Sequence, residues 1–210
     1  MYQFLQEKKS PSGMETIRDK SFEEIYNHIL GEIQRGSVDR KHPFHLCFLS
    51  TINNSTGFPE SRTVVLRKVD RDGFVLRVHT DARSEKIKHI KFCRNAHLLF
   101  YNQKAKLQVR LNSIGEEVQD QELKKDVWSQ AQEISQRCYY VPHSPSTEID
   151  TPFLNSEIDT TDQTLGYNVF SILEFKVFEL DILELNYEGH LRANLKVNDG
   201  KLEKSVWLMP

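Results

Sequence analysis

Residues 61–110 read SRTVVLRKVD RDGFVLRVHT DARSEKIKHI KFCRNAHLLF YNQKAKLQVR and carry most of the information about the fold. This segment has 13 Lys and Arg against 4 Asp and Glu, a formal charge of +9, whereas the other residues have 15 against 26, or −11. It also combines alternating strand patterns, tight turns and a polar helix start, features with which a backbone can hold an anion. The sequence therefore predicts an anion-binding site in this part of the chain.

Strand-like alternation continues on both sides of this segment. The predicted strands are 45–52, 62–69, 74–79, 96–101, 106–118, 169–185, 190–197 and 201–208. Two turns have hairpin composition, Asp70–Gly73, where Gly73 would take the positive φ, and Asn198–Gly200. We therefore expect a mainly β fold of about seven or eight antiparallel strands, which form a closed or nearly closed barrel flanked by α-helices.

Two or three helices are predicted around this barrel. The first starts at a Ser21–Glu24 capping box, carries an apolar stripe and stops at Gly36; the stripe is Phe22, Ile25, Ile29 and Ile33. A short helix is predicted at 84–92. A further helix, capped by Asp120, would place four apolar residues on one face, namely Leu123, Val127, Ala131 and Ile134.

Composition limits the class of protein. At 210 residues the chain is expected to form one domain, with a loose N-terminal arm at 1–13 and a long surface loop at 142–168. The net charge of −2 predicts no general attraction to nucleic acid or membranes. Three widely spaced cysteines and no apolar leader predict a cytoplasmic protein, and the histidines lack the spacing of a metal site.

The strongest candidate for an anion site is the junction between the third strand and the second helix. Thr80, Arg83, Ser84 and Lys86 lie there, where hydroxyl groups, cationic side chains and free helix amides together suit a phosphate. The same pattern also fits a capped and solvated helix start. Arg62 and Arg67 belong to the preceding strand, where they would point to opposite faces, and both could equally be ordinary surface charges.

Other polar side chains are paired along predicted strands. Gln108 and Arg110 share one face, and so do His190 and Arg192, which would suit the polar edge of a heterocycle or a polarised ring. The alternative for Gln108 and Arg110 is a half-exposed barrel position, and lone pairs of the type of His190 and Arg192 are more often structural. No motif for a serine or cysteine nucleophile, a P-loop or a dinucleotide-binding loop is present, so no catalytic residue is assigned.

Taken in order, these motifs resemble those of the pyridoxamine 5′-phosphate oxidase-related FMN-binding family. The resemblance covers roughly 45–119 and 165–210. The motifs that carry it are Arg62 to Arg67, His79-Thr80, Ser84-x-Lys86, the apolar strand Ala96 to Phe100, Gln108, His190-x-Arg192 and the closing Trp207 to Pro210. The family implies an FMN-binding split barrel, usually a homodimer.

The resemblance also implies roles for particular residues. Lys86 and Ser84, with Arg83 or Arg62, would hold the FMN phosphate, and Gln108 would bond the polar edge of the ring. Arg192 would approach the ring at the dimer interface, and His190 is the only candidate for proton transfer. The full predicted cofactor-binding set is Arg62, Thr63, Val64, Val65, Leu66, Arg67, His79, Thr80, Arg83, Ser84, Lys86, Gln108, His190 and Arg192.

Two positions depart from the family pattern. Glu85 stands where the family often has Arg, so either it points away from the phosphate or Arg83 supplies the missing charge. Glu188 stands where the oxidase itself has an Arg that helps to bind substrate, which argues against pyridoxamine 5′-phosphate. We therefore expect a flavin-dependent oxidoreductase with another, unidentified small substrate or electron donor. The alternatives are a non-catalytic module for FMN or another phosphorylated or haem-like ligand, and a barrel whose site has decayed.

Overall fold

The computed structural model describes residues 16–159 and 162–210. The predicted arm at 1–13 lies outside them. The helices of the described residues are α1 (Phe22–Val38), α2 (Glu85–Phe92), α3 (Gln121–Gln130), α4 (Glu133–Gln136) and α5 (Gln163–Val169). The strands are β1 (Leu46–Ile52), β2 (Pro59–Asp70), β3 (Val75–Asp81), β4 (Asn95–Asn102), β5 (Leu107–Glu117), β6 (Phe170–Glu184), β7 (Leu191–Asn198) and β8 (Lys201–Leu208).

All strand pairings are antiparallel, and six of the strands close into a barrel. The strand order is β3-β2-β1-β4-β5-β6-β7-β8, and a further pairing between β3 and β6 closes the ring. Strand β7 pairs with the part of the long strand β6 that continues beyond the pairing with β3, and β8 pairs with β7. The predicted mainly β fold, an antiparallel split barrel with flanking helices, is therefore confirmed.

Along each barrel strand, core residues alternate with residues that point away from the core. Leu49, Leu66, Phe100 and Phe175 come from four different strands and are fully buried together in one cluster. Helix α1 covers this cluster with its predicted apolar stripe, in which Ile25, Ile29 and Ile33 are fully buried. This alternation gives each strand an inner face that points to the core and an outer face that points away from it.

The beginning of α1 is as predicted, but its end is not. Ser21 and Glu24 form the reciprocal capping box. The helix then passes through Gly36, the predicted stop, and ends at Val38. A Cβ atom at Gly36 would lie 2.5 Å from the carbonyl oxygen of Phe44, so this glycine allows the chain after the helix to pack closely.

The two predicted hairpin turns behave differently. At 198–200, Asp199 and Gly200 both have positive φ, as a two-residue hairpin turn requires. At the first turn the positive φ belongs to the buried Phe74 and not to Gly73, so that part of the prediction is wrong.

The predicted third helix is broken into two. Helix α3 ends at Gln130 because Ala131 is extended, and Ile134 lies in the separate helix α4 with 75% of its surface exposed. Trp128 provides the reason, since its ring packs on several aromatic residues of the following segments. These are Tyr139, Tyr140, Tyr167 and Phe170. The same packing holds α5, which forms at the end of the segment predicted as a surface loop.

Candidate functional site

Several predicted residues meet where β3 ends and α2 begins. Lys86 Nζ donates a hydrogen bond to Thr80 Oγ1 at 2.9 Å, and Thr80 Oγ1 lies 3.2 Å from Ser84 Oγ. Both hydroxyl-bearing residues are buried. Ser84 is the residue before α2, but its side chain does not cap the helix. An ammonium group and two hydroxyl groups therefore converge at a helix N-terminus.

A second cation lies close to Lys86. Burial lowers the pKa of Lys86, and the charge of Arg62 lowers it further, while Asp81 acts in the opposite direction. Within the described part of the chain, no carboxylate forms an ion pair with Lys86. Two positive charges thus share a partly desolvated position, where a bound anion would relieve their repulsion.

Arg62 reaches this position from the inner face of β2. Its Nη1 donates to Thr51 Oγ1 at 2.6 Å and to the carbonyl oxygen of Glu60 at 2.8 Å, and its Nη2 lies 3.3 Å from the Glu60 carboxylate. Burial lowers the pKa of the Arg62 guanidinium and Glu60 raises it. Thr51 and Glu60 together hold the guanidinium in one place, and the role of Thr51 was not predicted from the sequence.

The structure distinguishes between the two explanations of Glu85. Glu85 is exposed and accepts a hydrogen bond from Lys88 Nζ at 2.7 Å, so it points along the surface of α2. Arg83 is already engaged. It forms a fork with the carboxylate of Asp81, with Nη2 at 2.7 Å from Oδ2, and donates to the carbonyl oxygens of Val141 and Pro142. Arg83 therefore fixes the segment at 141–142 to the junction.

Arg67 lies at an irregularity of β2. The pairing with β3 shifts register between Leu66 and Lys68, so that Arg67 is the extra residue of a bulge. It lies near His79, whose ring packs edge-on against Phe170 with centroids 5.1 Å apart. Burial, followed by the charges of Arg67 and Arg77, lowers the pKa of His79 to about 3. The imidazole is therefore neutral at physiological pH.

The low pKa of His79 predicts a measurable loss of stability in acid. Below the ordinary value near 6.5 the unfolded chain gains a proton that the folded protein excludes down to about pH 3. The free energy of unfolding should fall by up to about 1.4 kcal/mol per pH unit across this window. Urea unfolding at pH 7.5, 6 and 5 should show a steeper fall for the natural protein than for His79→Phe. Parallel slopes would show that His79 is not the cause.

A second group of predicted residues lies on the outer face of the sheet. Gln108, Leu183 and Arg192 stand in one row across β5, β6 and β7. Arg192 forms a fork with Asp181, and Arg110 Nη2 also donates to Asp181 at 2.7 Å. Burial raises the pKa of Asp181, but the hydrogen bonds and charges of these two arginines outweigh it, so that the pKa is lowered. The role of Asp181 was missed, since alternation alone does not show which cations a strand carboxylate will meet.

The prediction that His190 and Arg192 lie on the same strand is wrong. Strand β7 begins at Leu191, and His190 lies in the preceding exposed turn, where its Nδ1 accepts a hydrogen bond from the Asn186 amide at 3.2 Å. Gly189, with a φ of 128°, turns the chain immediately before it.

The two groups do not meet within one chain. Strands β1 and β4 lie between β2 and β5, so three strand spacings, about 14 Å across the sheet, separate the strand of Arg62 from that of Gln108. Arg62 lies with inward-facing Thr51, whereas Gln108 alternates with the buried Leu107 and Val109 and so points outward. The predicted phosphate residues and ring-edge residues therefore occupy opposite faces of the sheet.

These features define an antiparallel split-barrel protein with a cationic cluster at a strand-to-helix junction. Residues 24–116, a little under half of the chain, match the family model described as "Pyridoxamine 5'-phosphate oxidase, FMN-binding domain". Over these residues the chain is similar to the FMN-binding domain of the pyridoxamine 5′-phosphate oxidase-related family, so the predicted resemblance is confirmed, and FMN is the cofactor that this match supports. No relative was found among curated protein sequences.

Solved structures share the fold over most of the chain. A pyridoxamine 5′-phosphate oxidase-related, FMN-binding protein from Nostoc punctiforme has a TM-score of 0.67 and 22% identity, covering 88% of this chain and 96% of that one. PhzG from Burkholderia lata, in complex with tetrahydrophenazine-1-carboxylic acid, has a TM-score of 0.65 and 15% identity, covering 89% and 91%. A protein related to general stress protein 26 from Clostridium acetobutylicum has a TM-score of 0.51 and 14% identity, covering 82% and 93%. At these identities the likeness concerns the fold.

Proposed function

We propose that the protein is a flavin-dependent oxidoreductase that holds the FMN phosphate at the β3–α2 junction. The supporting observation is the half-buried Lys86, which lies beside Arg62, donates to the Thr80 hydroxyl and forms no ion pair with a carboxylate among the described residues. Such a group of donors suits a phosphate dianion, since charge-assisted hydrogen bonds to phosphate are the strongest that these side chains make. The junction residues therefore fit the cofactor of the matched family domain.

Each residue at the junction has a distinct task in this proposal. Lys86 and Arg62 supply the countercharge, while Thr80 and Ser84 supply hydroxyl donors. Arg83 holds the following segment in place through Asp81, Val141 and Pro142 and is left out of the phosphate contacts. The family resemblance further implies that the backbone of 62–67, with His79 and Thr80, lines the ribityl chain and the isoalloxazine ring, and we propose the same contacts here.

We further propose that the polar edge of the ring is bound by a second copy of the chain. Gln108 and Arg192 lie on the opposite face of the sheet from Arg62, so they cannot complete the same site within one chain. Large apolar side chains are exposed on that outer face and would be covered in a homodimer. These are Leu46, Phe48, Tyr101, Val206 and Leu208.

The substrate is proposed to be something other than pyridoxamine 5′-phosphate. Glu188 is exposed in the turn before β7, at the position where the family resemblance implies an arginine for the oxidase substrate. A carboxylate at that position would repel a second phosphate.

None of the described helices is long and apolar enough to cross a membrane. The three cysteines form no disulfide, which suits the proposed cytoplasmic setting.

The chemistry that FMN supplies when bound is hydride transfer at N5, followed by reoxidation by an acceptor. The contribution of the chain is to bind and orient the cofactor and to place hydrogen-bond donors where negative charge develops on the ring. Arg192 and Gln108 have the chemistry for that second task.

Reduction of the bound flavin tests the proposed activity. Under anaerobic conditions, NADH or NADPH should bleach the flavin absorbance of the loaded protein much faster than that of free FMN at equal concentration. Admission of oxygen should then restore the absorbance. Flavin that stays oxidised with both donors, in protein that binds FMN stoichiometrically, would favour a non-catalytic FMN-binding module instead.

A further inference from the structure

Arg62 is anchored by a hydrogen-bond chain that runs into the protein core. Its Nη1 donates to Thr51 Oγ1 at 2.6 Å, and the same oxygen lies 3.0 Å from Nδ1 of His89. Thr51 is 1% exposed and His89 is fully buried. The chain thus connects three separate elements, namely β2, β1 and α2.

The direction of these hydrogen bonds follows from the chemistry of the three side chains, since a guanidinium can only donate and a hydroxyl group has a single proton to donate. The Thr51 hydroxyl accepts from Arg62, and its own proton is therefore free to be donated to His89 Nδ1. The imidazole proton then lies on Nε2, which is buried and has no partner within the described residues. Leaving a buried donor without a partner costs stability, so packing alone does not explain a histidine at this position.

The location of His89 on α2 is also informative. It lies three residues after Lys86, so one short helix presents Lys86 to the junction and packs His89 beneath Thr51. The guanidinium of Arg62 has a competing partner in the half-exposed Glu60 carboxylate. Arg62 already contacts this carboxylate, with Nη2 at 3.3 Å from Glu60 Oε2, and without the anchor at Thr51 its guanidinium would be freer to shift further towards Glu60 and solvent.

We infer that Thr51 and His89 are positioning residues that hold Arg62 at a fixed place relative to Lys86 in the phosphate site. This inference rests on the proposed function, because it concerns the same phosphate. Preorganisation of a binding group stabilises the complex by reducing the freedom that the side chain loses when the ligand binds. The effect should therefore be confined to the phosphate of the ligand.

Thr51→Val is the first test, because valine keeps the shape of threonine and removes its hydroxyl group. We expect the affinity for FMN to fall by about tenfold, whereas that for riboflavin, which has no phosphate, should change by less than about twofold. Fluorescence quenching measures both affinities. Ser113→Ala is the matched control, since it removes a buried hydroxyl that donates to the Ala96 carbonyl in another part of the barrel.

Variants of His89 provide the second test. His89→Leu removes the acceptor together with the unpartnered Nε2, so FMN binding should weaken about as much as in Thr51→Val. The melting temperature should change little, because one unpartnered buried donor, Nε2, is replaced by another, the Thr51 hydroxyl. His89→Asn keeps an acceptor near the position of Nδ1 and should recover most of the affinity. If His89→Leu does not fold, the test rests on Thr51→Val alone.

A double-mutant cycle separates a positioning role from a general structural one. In the Arg62→Ala background, Thr51→Val should have no further effect on FMN affinity, because the residue that it positions is absent. Equal effects on FMN and riboflavin, or additive effects of the two substitutions, would overturn the inference. Absence of FMN binding by the natural protein would instead refute the proposed function, so the two failures can be told apart.

Discussion

Replacement of both Arg62 and Lys86 by alanine should weaken FMN binding by roughly 100-fold or more. Each residue supplies a charge-assisted contact to the phosphate worth about 1.5–3 kcal/mol, and about 3 kcal/mol corresponds to more than 100-fold in the dissociation constant. Partial burial of both side chains favours the upper part of that range, because solvent screens their charges less than those of surface residues.

The measurement is a fluorescence titration of the apoprotein with FMN and, in parallel, with riboflavin. Riboflavin binding should change little in the Arg62→Ala, Lys86→Ala double variant. The matched control is Lys88→Ala with Arg94→Ala, which removes the same number of charges from exposed positions around α2. Unchanged FMN affinity in the first variant, or equal losses in both, would mean that the phosphate is not bound at the junction.

The second large effect concerns the contribution of the partner chain. A chain with Arg62→Ala and Lys86→Ala retains its ring-edge residues, and a chain with Gln108→Leu and Arg192→Ala retains its phosphate residues. Each variant alone should fail to bind FMN at concentrations that saturate the natural protein. If a site takes its phosphate residues from one chain and its ring edge from the other, the mixed dimer contains one intact site.

Two different affinity tags allow the mixed dimer to be isolated after coexpression. We expect it to bind about one FMN per dimer, in contrast to the empty homodimers of either variant. If both groups of residues served the same site within one chain, the mixed dimer would contain no intact site and would stay empty. A monomeric natural protein would also contradict the shared site, and size-exclusion chromatography with light scattering detects that.

The strands and the junction could be predicted because their causes are local. Alternation of apolar and polar residues predicts the inner and outer faces of β2 and β5, and the composition of Asn198-Asp199-Gly200 predicts the last hairpin turn. Likewise, Ser84 and Lys86 stand beside a strand end and a helix start in the sequence itself. The predicted strand boundaries lie within one or two residues of those in the structure, except that β2 begins three residues earlier, at Pro59.

Features that depend on distant packing could not be predicted in this way. Thr51 and His89 reach Arg62 only because the register of β1 and the position of α2 bring them together. The break after α3 has a similar origin, since the aromatic packing around Trp128 outweighs the helical spacing of the sequence.

Comparison of FMN with riboflavin in the natural protein is the most direct test of a phosphate site at the β3–α2 junction. Titration of the apoprotein should show stoichiometric FMN binding, with an affinity at least about tenfold higher than that for riboflavin, because only FMN engages Arg62 and Lys86. Equal affinities for the two flavins, or no quenching with FMN, would contradict the proposed site.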